Sequence, residues 1–332
     1  MPTSEEVKTA LDTVLVPGAM RSLVKMNLVK DISVADGKVD ITLAAAALMK
    51  SAQDWLKDKV SDTITGLDGV KDVNVSYADV KPRELNSIKN VIAIMSGKGG
   101  VGKSLVASLA AIALRRQGCE VGILDADITG PSIPRMFGVS GPPAVSETGM
   151  LPVPSRSGIE VMSINLLLPT EDDAVIWRGP LIGHAITQFW EDVLWGNLDY
   201  LIVDLPPGTA DAPLTVMQQL PISGIIIVFT PQELTAMVVR KAVKMARQMN
   251  KTILGVVENM SYLYIPELDK KIELFGKSRA EEMAQAAGAP LLGQLPIDPA
   301  LAKLCDEGNI ERYDSEVYNT FAQKLTGVLA KK

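Results

Sequence analysis

The most chemically informative stretch of the sequence is the loop from Gly97 to Ser104, which reads GKGGVGKS. It matches the pattern G-x-x-x-x-G-K-[ST], and it stands between an apolar run that predicts a strand and a longer run that predicts a helix. In such a loop the backbone N–H groups surround phosphate oxygens, a lysine neutralises the β- and γ-phosphates, and a hydroxyl binds Mg²⁺. The last two roles fall on Lys103 and Ser104, so the loop predicts a site for a nucleoside triphosphate with Mg²⁺.

We expect the whole loop to contact the nucleotide. The predicted contacts are Gly97, Lys98, Gly99, Gly100, Val101, Gly102, Lys103 and Ser104. Phosphate binding alone does not explain why the loop carries two lysines, because one lysine is enough for one phosphate chain. The first lysine, Lys98, therefore needs a separate explanation.

Three aspartates follow predicted strands and have the chemistry that phosphate hydrolysis needs. Asp125 and Asp127 come after the run Val121–Leu124, and Asp204 comes after a second apolar run. Hydrolysis requires a carboxylate near the metal ion and a residue that orients the attacking water. We expect Asp204 to serve Mg²⁺ together with Ser104, with Asp125 near the same ion, partly through water. Asp127 is the candidate that positions the water.

Short apolar runs alternate with longer helical ones from residue 90 onward, and these runs predict the elements that hold the candidate side chains. They are Val91–Met95, Val121–Leu124, Ile159–Ile164, Leu201–Val203, Ile225–Phe229, Ile253–Val257 and Leu291–Leu295. Runs without polar alternation are typical of strands that helices cover on both faces. The predicted fold class is α/β, with a mostly parallel sheet of the P-loop NTPase type flanked by helices. Ligands bind at the carboxyl ends of such strands.

The first 80 residues predict a separate small α+β domain. Its expected elements are a helix at Ser4–Leu15, strands at Val29–Val34 and Val39–Leu43, a helix at Leu48–Thr63 and a strand at Val70–Tyr77. Ser4 is expected to cap the first helix, and Asp36-Gly37 to supply the positive φ of a tight hairpin turn. We therefore divide the chain into a small domain (1–80), a linker (81–90) and a nucleotide-binding domain (91–332).

Composition and charge restrict the classes of partner. The net charge is −6 with a pI of about 5.1, which argues against sequence-independent binding to nucleic acid. The start MPTSEEVK lacks the cationic and apolar regions of a secretory signal, and the apolar runs are shorter than the roughly 18 residues of a membrane span. The cysteines Cys119 and Cys305 and the single histidine, His184, form no paired motif. We expect a cytoplasmic protein that contacts neither nucleic acid nor membrane.

Five motifs occur in an order that resembles one family of ATPases. They are KGGVGKS at 98–104, DADITGPSIP at 125–134, Trp177-Arg178-Gly179-Pro180, DLPPGTAD at 204–211 and Glu258-Asn259-Met260-Ser261. This is the order seen in the Mrp/ApbC family, which belongs to the deviant-Walker proteins together with MinD, ParA and the nitrogenase iron protein. The resemblance covers residues 90–332. Residues 1–80 are similar to the small domain of bacterial Mrp proteins, although the usual Asp-Pro-Glu is here Val16-Pro17-Gly18.

The resemblance implies an ATP-binding and ATP-hydrolysing homodimer that acts in iron–sulfur cluster assembly or transfer. Its implied partners are iron–sulfur assembly proteins or apo-protein clients. It also accounts for the second loop lysine, because in this class Lys98 would reach across the dimer to the partner's nucleotide. A fixed cation there stabilises charge in the transition state, which makes Lys98 a catalytic candidate. The other two catalytic candidates are Lys103, which neutralises the phosphates, and Asp127, which positions the water. Asn259 is expected to read the adenine edge, and Asp298 to lie near the base pocket.

The sequence departs from the family where the family carries a C-x-x-C that holds a cluster between two subunits. The two cysteine positions are Ile265 and Leu268 here. Clusters need thiolate or imidazole ligands, so an iron–sulfur cluster is implied by the resemblance while its ligands are missing. Ile265 and Leu268 would instead suit an apolar contact between subunits.

Two other functions remain open on the sequence. One is a MinD/ParA-like positioning protein, whose ATP dimer binds DNA or membrane, and the other is a nucleotide-switched adaptor that recruits partners through residues 1–80. The first would use the apolar stripe of the last helix, formed by Tyr318, Phe321, Leu325, Val328 and Leu329. Such a stripe either lies on a membrane surface or packs on the protein core.

Overall fold

The computed structural model describes residues 1–128, 130–168, 179–232 and 234–330. Thr129, the Trp177-Arg178 pair and Lys331-Lys332 lie outside the described residues. The helices are α1 (Ser4–Leu11), α2 (Lys50–Thr65), α3 (Pro82–Leu85), α4 (Lys103–Arg116), α5 (Ile133–Phe137), α6 (Gly179–Glu191), α7 (Asp211–Gln219), α8 (Leu234–Gln248), α9 (Ala280–Ala287), α10 (Pro299–Asp306) and α11 (Glu316–Leu329). The strands are β1 (Val29–Ala35), β2 (Lys38–Ala44), β3 (Asp72–Ala78), β4 (Ser87–Ser96), β5 (Val121–Asp125), β6 (Val145–Ser146), β7 (Gly149–Met150), β8 (Val153–Pro154), β9 (Glu160–Ser163), β10 (Asn197–Asp204), β11 (Gly224–Phe229), β12 (Ile253–Glu258), β13 (Leu263–Ile265), β14 (Lys270–Ile272) and β15 (Leu291–Gln294).

The chain folds into two compact units. The first contains Met1–Ile88 together with Pro142–Pro154 and Gln188–Leu198. The second contains Lys89–Gly141, Ser155–Thr187 and Asp199–Lys332. Two later segments of the chain thus belong to the first unit, which local sequence patterns do not indicate. The domain boundaries drawn above at residues 80 and 90 stay a prediction.

The first unit is built on a three-stranded sheet in the order β1-β2-β3. The hairpin predicted at Asp36-Gly37 is present: β1 and β2 are antiparallel, and the two turn residues have φ values of 50° and 85°. β3 is parallel to β2, which requires the crossover through α2. The N-cap of α1 is Thr3 rather than Ser4, because Thr3 and Glu6 form a reciprocal capping box, and the helix ends at Leu11 rather than Leu15.

A buried arginine attaches a late segment to the first unit. Arg21 is 2% exposed, and its guanidinium donates to the carbonyl oxygens of Trp195 at 2.8 Å and of Lys25 at 3.0 Å. It also donates to the carbonyl oxygen of Asn197. Because a guanidinium has five donors in a rigid fork, one side chain satisfies several buried carbonyl groups at once.

Seven neighbouring strands of the main sheet lie in the second unit, in the order β15-β12-β11-β4-β10-β5-β9. The pairs β10–β5, β5–β9, β4–β11, β11–β12 and β12–β15 are parallel. All seven predicted strands are therefore confirmed, as is the α/β fold class. β4 begins at Ser87, inside the predicted linker, and β10 begins at Asn197, earlier than the run Leu201–Val203.

Strand register decides which candidate residues meet. Asp204, at the end of β10, lies opposite Asp125, at the end of β5. Ser96, at the end of β4, lies opposite Val228 of β11. Because these are carboxyl ends of neighbouring strands, both aspartates and the phosphate loop are brought to one edge of the sheet.

The apolar stripe of the last helix packs on the core. Tyr318, Phe321, Leu325 and Leu329 are all buried in α11, which contacts α4 and β15. Within the described ranges, no helix is both long enough and apolar enough to cross a membrane. The surface-helix alternative for α11 is therefore wrong, because its apolar face is already covered.

We predict that Arg21→Ala destabilises the first unit by about 2–4 kcal/mol, because it leaves buried carbonyl groups without a donor. Hydrogen exchange of the backbone amides in residues 22–44 measures this loss directly. The matched control is Lys30→Ala, which removes an exposed cation from β1 and should leave exchange unchanged. Equal protection in Arg21→Ala and wild type would show that the arginine contributes nothing.

Candidate nucleotide site

The phosphate loop connects β4 to α4 and has the backbone that its glycines allow. Gly100 and Gly102 have φ values of 76° and 78°, in the left-handed region that other residues rarely adopt. Ser96 Oγ donates to the carbonyl oxygen of Lys98 at 2.9 Å, and the N–H of Gly208 donates to the carbonyl oxygen of Ser96 at 3.0 Å. These bonds fix the first turn of the loop and join it to the DLPPGTAD segment.

Lys103 is a buried cation that lies between two carboxylates. Its side chain is 6% exposed, and Nζ donates to Oδ1 of Asp204 at 2.6 Å. The same nitrogen lies 3.7 Å from Oδ2 of Asp127. Ser104 Oγ donates to the other oxygen of Asp204. The structure thus brings together Lys103, Ser104, Asp127 and Asp204, which the sequence predicted as one site.

Burial dominates the electrostatics of this edge. Burial first, and then the neighbouring charge of Asp204, raise the pKa of Asp125 to about 8, against the opposite effects of the N–H of Ile133 and the charge of Lys103. Burial also raises the pKa of Asp204, against the effect of Lys103 and Ser104. A charged carboxylate is costly in such surroundings unless a cation lies beside it, which is the position Lys103 occupies.

Asp125 organises the backbone that carries Asp127. Its Oδ1 accepts the N–H of Asp127 at 3.2 Å, and its Oδ2 accepts the N–H groups of Ser132 at 3.0 Å and Ile133 at 3.1 Å. Both oxygens are therefore engaged with the segment that follows β5. Asp125 thus has a structural role that the sequence did not predict, and its predicted place near Mg²⁺ stays a prediction.

The loop borders a cavity of about 400 Å³ in the second unit. The residues that line it are Ser96, Lys98, Gly99, Gly100, Gly102, Lys103, Ser104, Leu105, Asp127, Gly130, Ser132, Met136 and Pro207. Most of the predicted nucleotide contacts are among them. Pro207 belongs to the DLPPGTAD motif, although the sequence did not predict it as a contact, whereas Met136 lies outside the motifs and carries no recognisable chemistry.

The structure gives Lys98 a contact within its own chain. Its Nζ donates to Oε1 of Gln232, which lies just beyond β11. Sequence patterns do not predict Gln232 as a site residue, because it is remote in sequence and belongs to none of the motifs used above.

Asn259 and Asp298 have structural contacts that the sequence did not predict. Asn259 is 1% exposed, and its Nδ2 donates to the carbonyl oxygen of Val101 at 2.9 Å, so its amide supports the loop from behind. Asp298 caps α10 by accepting the N–H groups of Ala300 and Leu301, and it also accepts the hydroxyl of Tyr313. As far as the described residues go, neither lines the cavity. Their adenine roles stay predictions.

The hairpin β13–β14 carries Ile265 and ends in a turn with Leu268, the two positions at which the resemblance implies cysteines. A 3₁₀ turn at Pro266–Leu268 joins its strands, with Ile265 half-buried and Leu268 68% exposed. Both side chains are hydrocarbon only and offer no electron pair to a metal. Within residues 1–128, 130–168, 179–232 and 234–330, no group of three or more His, Cys, Asp or Glu side chains could hold a metal ion.

Comparison with known families decides what kind of protein carries this site. The model of the NUBPL iron-transfer P-loop NTPases matches residues 87–329, and a model of iron–sulfur cluster assembly proteins matches residues 4–77. The chain belongs to the NUBPL iron-transfer P-loop NTPase family. The resemblance drawn from the motifs is confirmed, and this NUBPL-family chain carries the second matched domain in front of its NTPase.

Proteins named iron–sulfur cluster carriers resemble this NUBPL-family chain along most of its length. The iron–sulfur cluster carrier protein of Synechocystis sp. is 39% identical over 341 residues, covering 99% of this chain and 96% of that protein. The iron–sulfur cluster carrier protein of Clostridium perfringens is 47% identical over 238 residues, covering 69% of this chain and 84% of that protein. The similarity thus includes both matched domains.

Two solved structures locate the fold. A nucleotide-binding protein of Archaeoglobus fulgidus, solved in complex with ADP, is 48% identical with a TM-score of 0.63 and covers 70% of this chain and 92% of its own. The MinD protein of Pyrococcus horikoshii, complexed with Mg-ADP, is 20% identical with a TM-score of 0.53 and covers 74% of this chain and 98% of its own. The second shows likeness of fold alone. Together they confirm the P-loop α/β architecture.

We predict that Gly102→Ala weakens ATP binding at least about tenfold, measured by titration with a fluorescent ATP analogue. A Cβ at this position would lie 2.1 Å from Nδ2 of Asn259, so the loop or the amide must move. The matched control is Gly118→Ala, at a similar positive φ of 84° but with nothing within 4 Å of the added atom. Both variants carry the same backbone strain, so only the first should lose nucleotide. Equal affinities would contradict the support that Asn259 gives the loop.

Proposed function

We propose that the chain binds and hydrolyses ATP as a homodimer and acts in iron–sulfur cluster assembly or transfer. The observation that carries the proposal is the contact of Lys103 and Ser104 with Asp204 at the phosphate loop, with Asp127 beside them. These are the side chains that phosphoryl transfer uses: a cation, a hydroxyl, a carboxylate at a strand end, and a second carboxylate near the phosphates. The names of the relatives supply the cluster-transfer part of the proposal.

Each side chain has a role that follows from its position. Lys103 neutralises the β- and γ-phosphates. Its ammonium moves away from the Asp204 carboxylate when phosphate oxygens take the place of that carboxylate. Asp127 accepts a proton of the attacking water and orients it, since it lies 3.7 Å from the Lys103 ammonium at the wall of the cavity. Backbone N–H groups of residues 97–104 surround the phosphate oxygens. Asp125 acts indirectly, by holding the segment that carries Asp127.

The residues present fit Mg²⁺. Ser104 and Asp204 offer hydroxyl and carboxylate oxygens, the donors that this ion prefers, and they already contact one another. Mg²⁺ binds through one or two protein oxygens together with water and substrate phosphates, so it needs no larger protein cage. When bound, the ion would neutralise charge on the β- and γ-phosphates.

Lys98 is proposed to act in the partner subunit. Lys103 already supplies the cation for the phosphates of its own loop, so a second lysine has no equivalent role there. A lysine that reaches the partner's nucleotide would make ATP part of the dimer interface and would stabilise charge as a cationic finger does. Hydrolysis would then depend on dimer formation.

In this proposal the iron–sulfur cluster is cargo, and the chain transfers it without thiolate ligands on the hairpin β13–β14. Ile265 and Leu268 stand where the family's cysteines stand, and neither can bind iron. We propose that β13–β14 serves as an apolar contact and that cluster ligands come from a partner protein. Iron–sulfur assembly proteins or apo-protein clients are the proposed partners.

We predict that Lys98→Ala lowers ATP turnover at least about 10²-fold and abolishes ATP-dependent dimerisation, because the cation that crosses the interface is lost. Binding of ATP to the monomer should change little, since Lys103 and the loop backbone remain. Turnover and sedimentation velocity with and without Mg-ATP measure the two effects. The control is Lys89→Ala, which removes an exposed lysine paired with Asp199 and should be neutral. Unchanged turnover in Lys98→Ala would refute the role.

We predict that wild-type protein takes up no stable cluster on anaerobic reconstitution with iron and sulfide, whereas Ile265→Cys/Leu268→Cys takes up one per dimer. The double variant restores thiolates at the hairpin. Iron, acid-labile sulfide and the visible absorption of the protein measure the uptake. The matched control is Ile265→Ser/Leu268→Ser, which adds polar groups of similar size without thiolate. A stable cluster in the wild type would contradict the account of the hairpin.

A further inference from the structure

The first lysine of the phosphate loop is bonded within its own protomer by a side chain more than a hundred residues away. Lys98 Nζ donates to Oε1 of Gln232, the third residue after the end of β11 at Phe229. β11 lies beside β4, with Val228 opposite Ser96, so both segments leave the same edge of the sheet as neighbours. The contact is therefore a product of strand order.

The bond competes with the proposed action of Lys98 across the dimer. Hydrogen bonds to an ionised donor are among the stronger ones in proteins, and both partners here are half-buried, where water replaces them less easily. The Lys98 ammonium cannot contact Gln232 of its own protomer and the nucleotide of the other subunit at the same time. To reach the nucleotide of another subunit, the ammonium must leave the Gln232 carbonyl.

The segment that carries Gln232 contains a second, independent sign that it has another arrangement. Thr230 is 4% exposed, and its hydroxyl has no hydrogen-bond partner among the described residues. A buried hydroxyl without a partner is unfavourable, because it has lost its water and gained nothing. The arrangement of residues 230–232 therefore carries an unfavourable contribution that the Lys98–Gln232 bond offsets.

We propose that Gln232 is a positioning residue that holds Lys98 within its own protomer until ATP-dependent dimerisation draws the ammonium to the partner's nucleotide. This inference rests on the proposed function, which assigns Lys98 to the other subunit. Gln232 then sets the nucleotide concentration at which the dimer forms. The unpartnered hydroxyl of Thr230 favours release of Lys98 from Gln232, whereas the Lys98–Gln232 bond keeps Lys98 in its own protomer.

The first test measures the bond without nucleotide. Full-length protein is treated briefly with an amine-reactive ester, and modification of Lys98 is quantified by mass spectrometry relative to Lys89, an exposed lysine of the same unit. Gln232→Ala should raise Lys98 modification several-fold. The matched control, Gln248→Ala, removes an exposed glutamine at the end of α8 and should change nothing. Equal modification in Gln232→Ala and wild type would overturn the proposal.

The second test measures the consequence. Gln232→Ala should lower the Mg-ATP concentration for half-maximal dimerisation about tenfold, as loss of a charge-assisted bond predicts. Thr230→Val keeps the side-chain shape and removes the hydroxyl, so it should raise that concentration. If both variants shifted the Mg-ATP concentration for half-maximal dimerisation in the same direction, the proposal would be overturned. Such a result would indicate a general loosening of residues 230–232.

A double variant separates the failure of this inference from the failure of the proposed function. In a Lys98→Ala background, which does not dimerise, Gln232→Ala should have no further effect on nucleotide binding by the monomer, since the two residues act as one unit. An added effect there would overturn the positioning role. If the wild type does not dimerise with Mg-ATP while Lys98 modification still rises in Gln232→Ala, the proposed dimer function fails and the bond itself stands.

Discussion

The site depends on one buried cation. Lys103 is 6% exposed and lies 2.6 Å from one carboxylate and 3.7 Å from another, with a third behind them. Three acidic side chains at one sheet edge would repel one another in low dielectric, and burial already raises the pKa of Asp125 and Asp204. The lysine makes that concentration of charge tolerable.

The sheet is what delivers these groups to one another. Asp125 and Asp204 are opposite residues in a parallel pair, and the loop follows β4 on the other side of β10. Parallel strands buried on both faces are rigid supports, so the carboxylates are placed by backbone register rather than by flexible side chains. The glycine at 102 then lets the loop pass close to Asn259, whose amide donates to the carbonyl oxygen of Val101.

Local patterns predicted the loop, the seven strands and the aspartates, because each is encoded by adjacent residues with a strong preference. They did not predict contacts made between distant segments. The Lys98–Gln232 bond, the capping role of Asp298 and the packing of Asn259 against Val101 all depend on which elements become neighbours. Asp125 is a further example, since its bonds to the N–H groups of Asp127, Ser132 and Ile133 depend on how the chain turns after β5, which the residue type alone does not indicate. The assignment of residues 142–154 and 188–198 to the first unit was equally beyond local signals.

The proposed function makes the Lys103–Asp204 pair a site held ready for a nucleotide. The most direct measurement is a crystal structure of the full chain with Mg²⁺ and a non-hydrolysable ATP analogue. We predict phosphates within residues 97–104, Lys103 Nζ on the β- and γ-phosphate oxygens, and Mg²⁺ beside Ser104 Oγ and Asp204. A nucleotide bound elsewhere, with Lys103 still paired to Asp204, would contradict it.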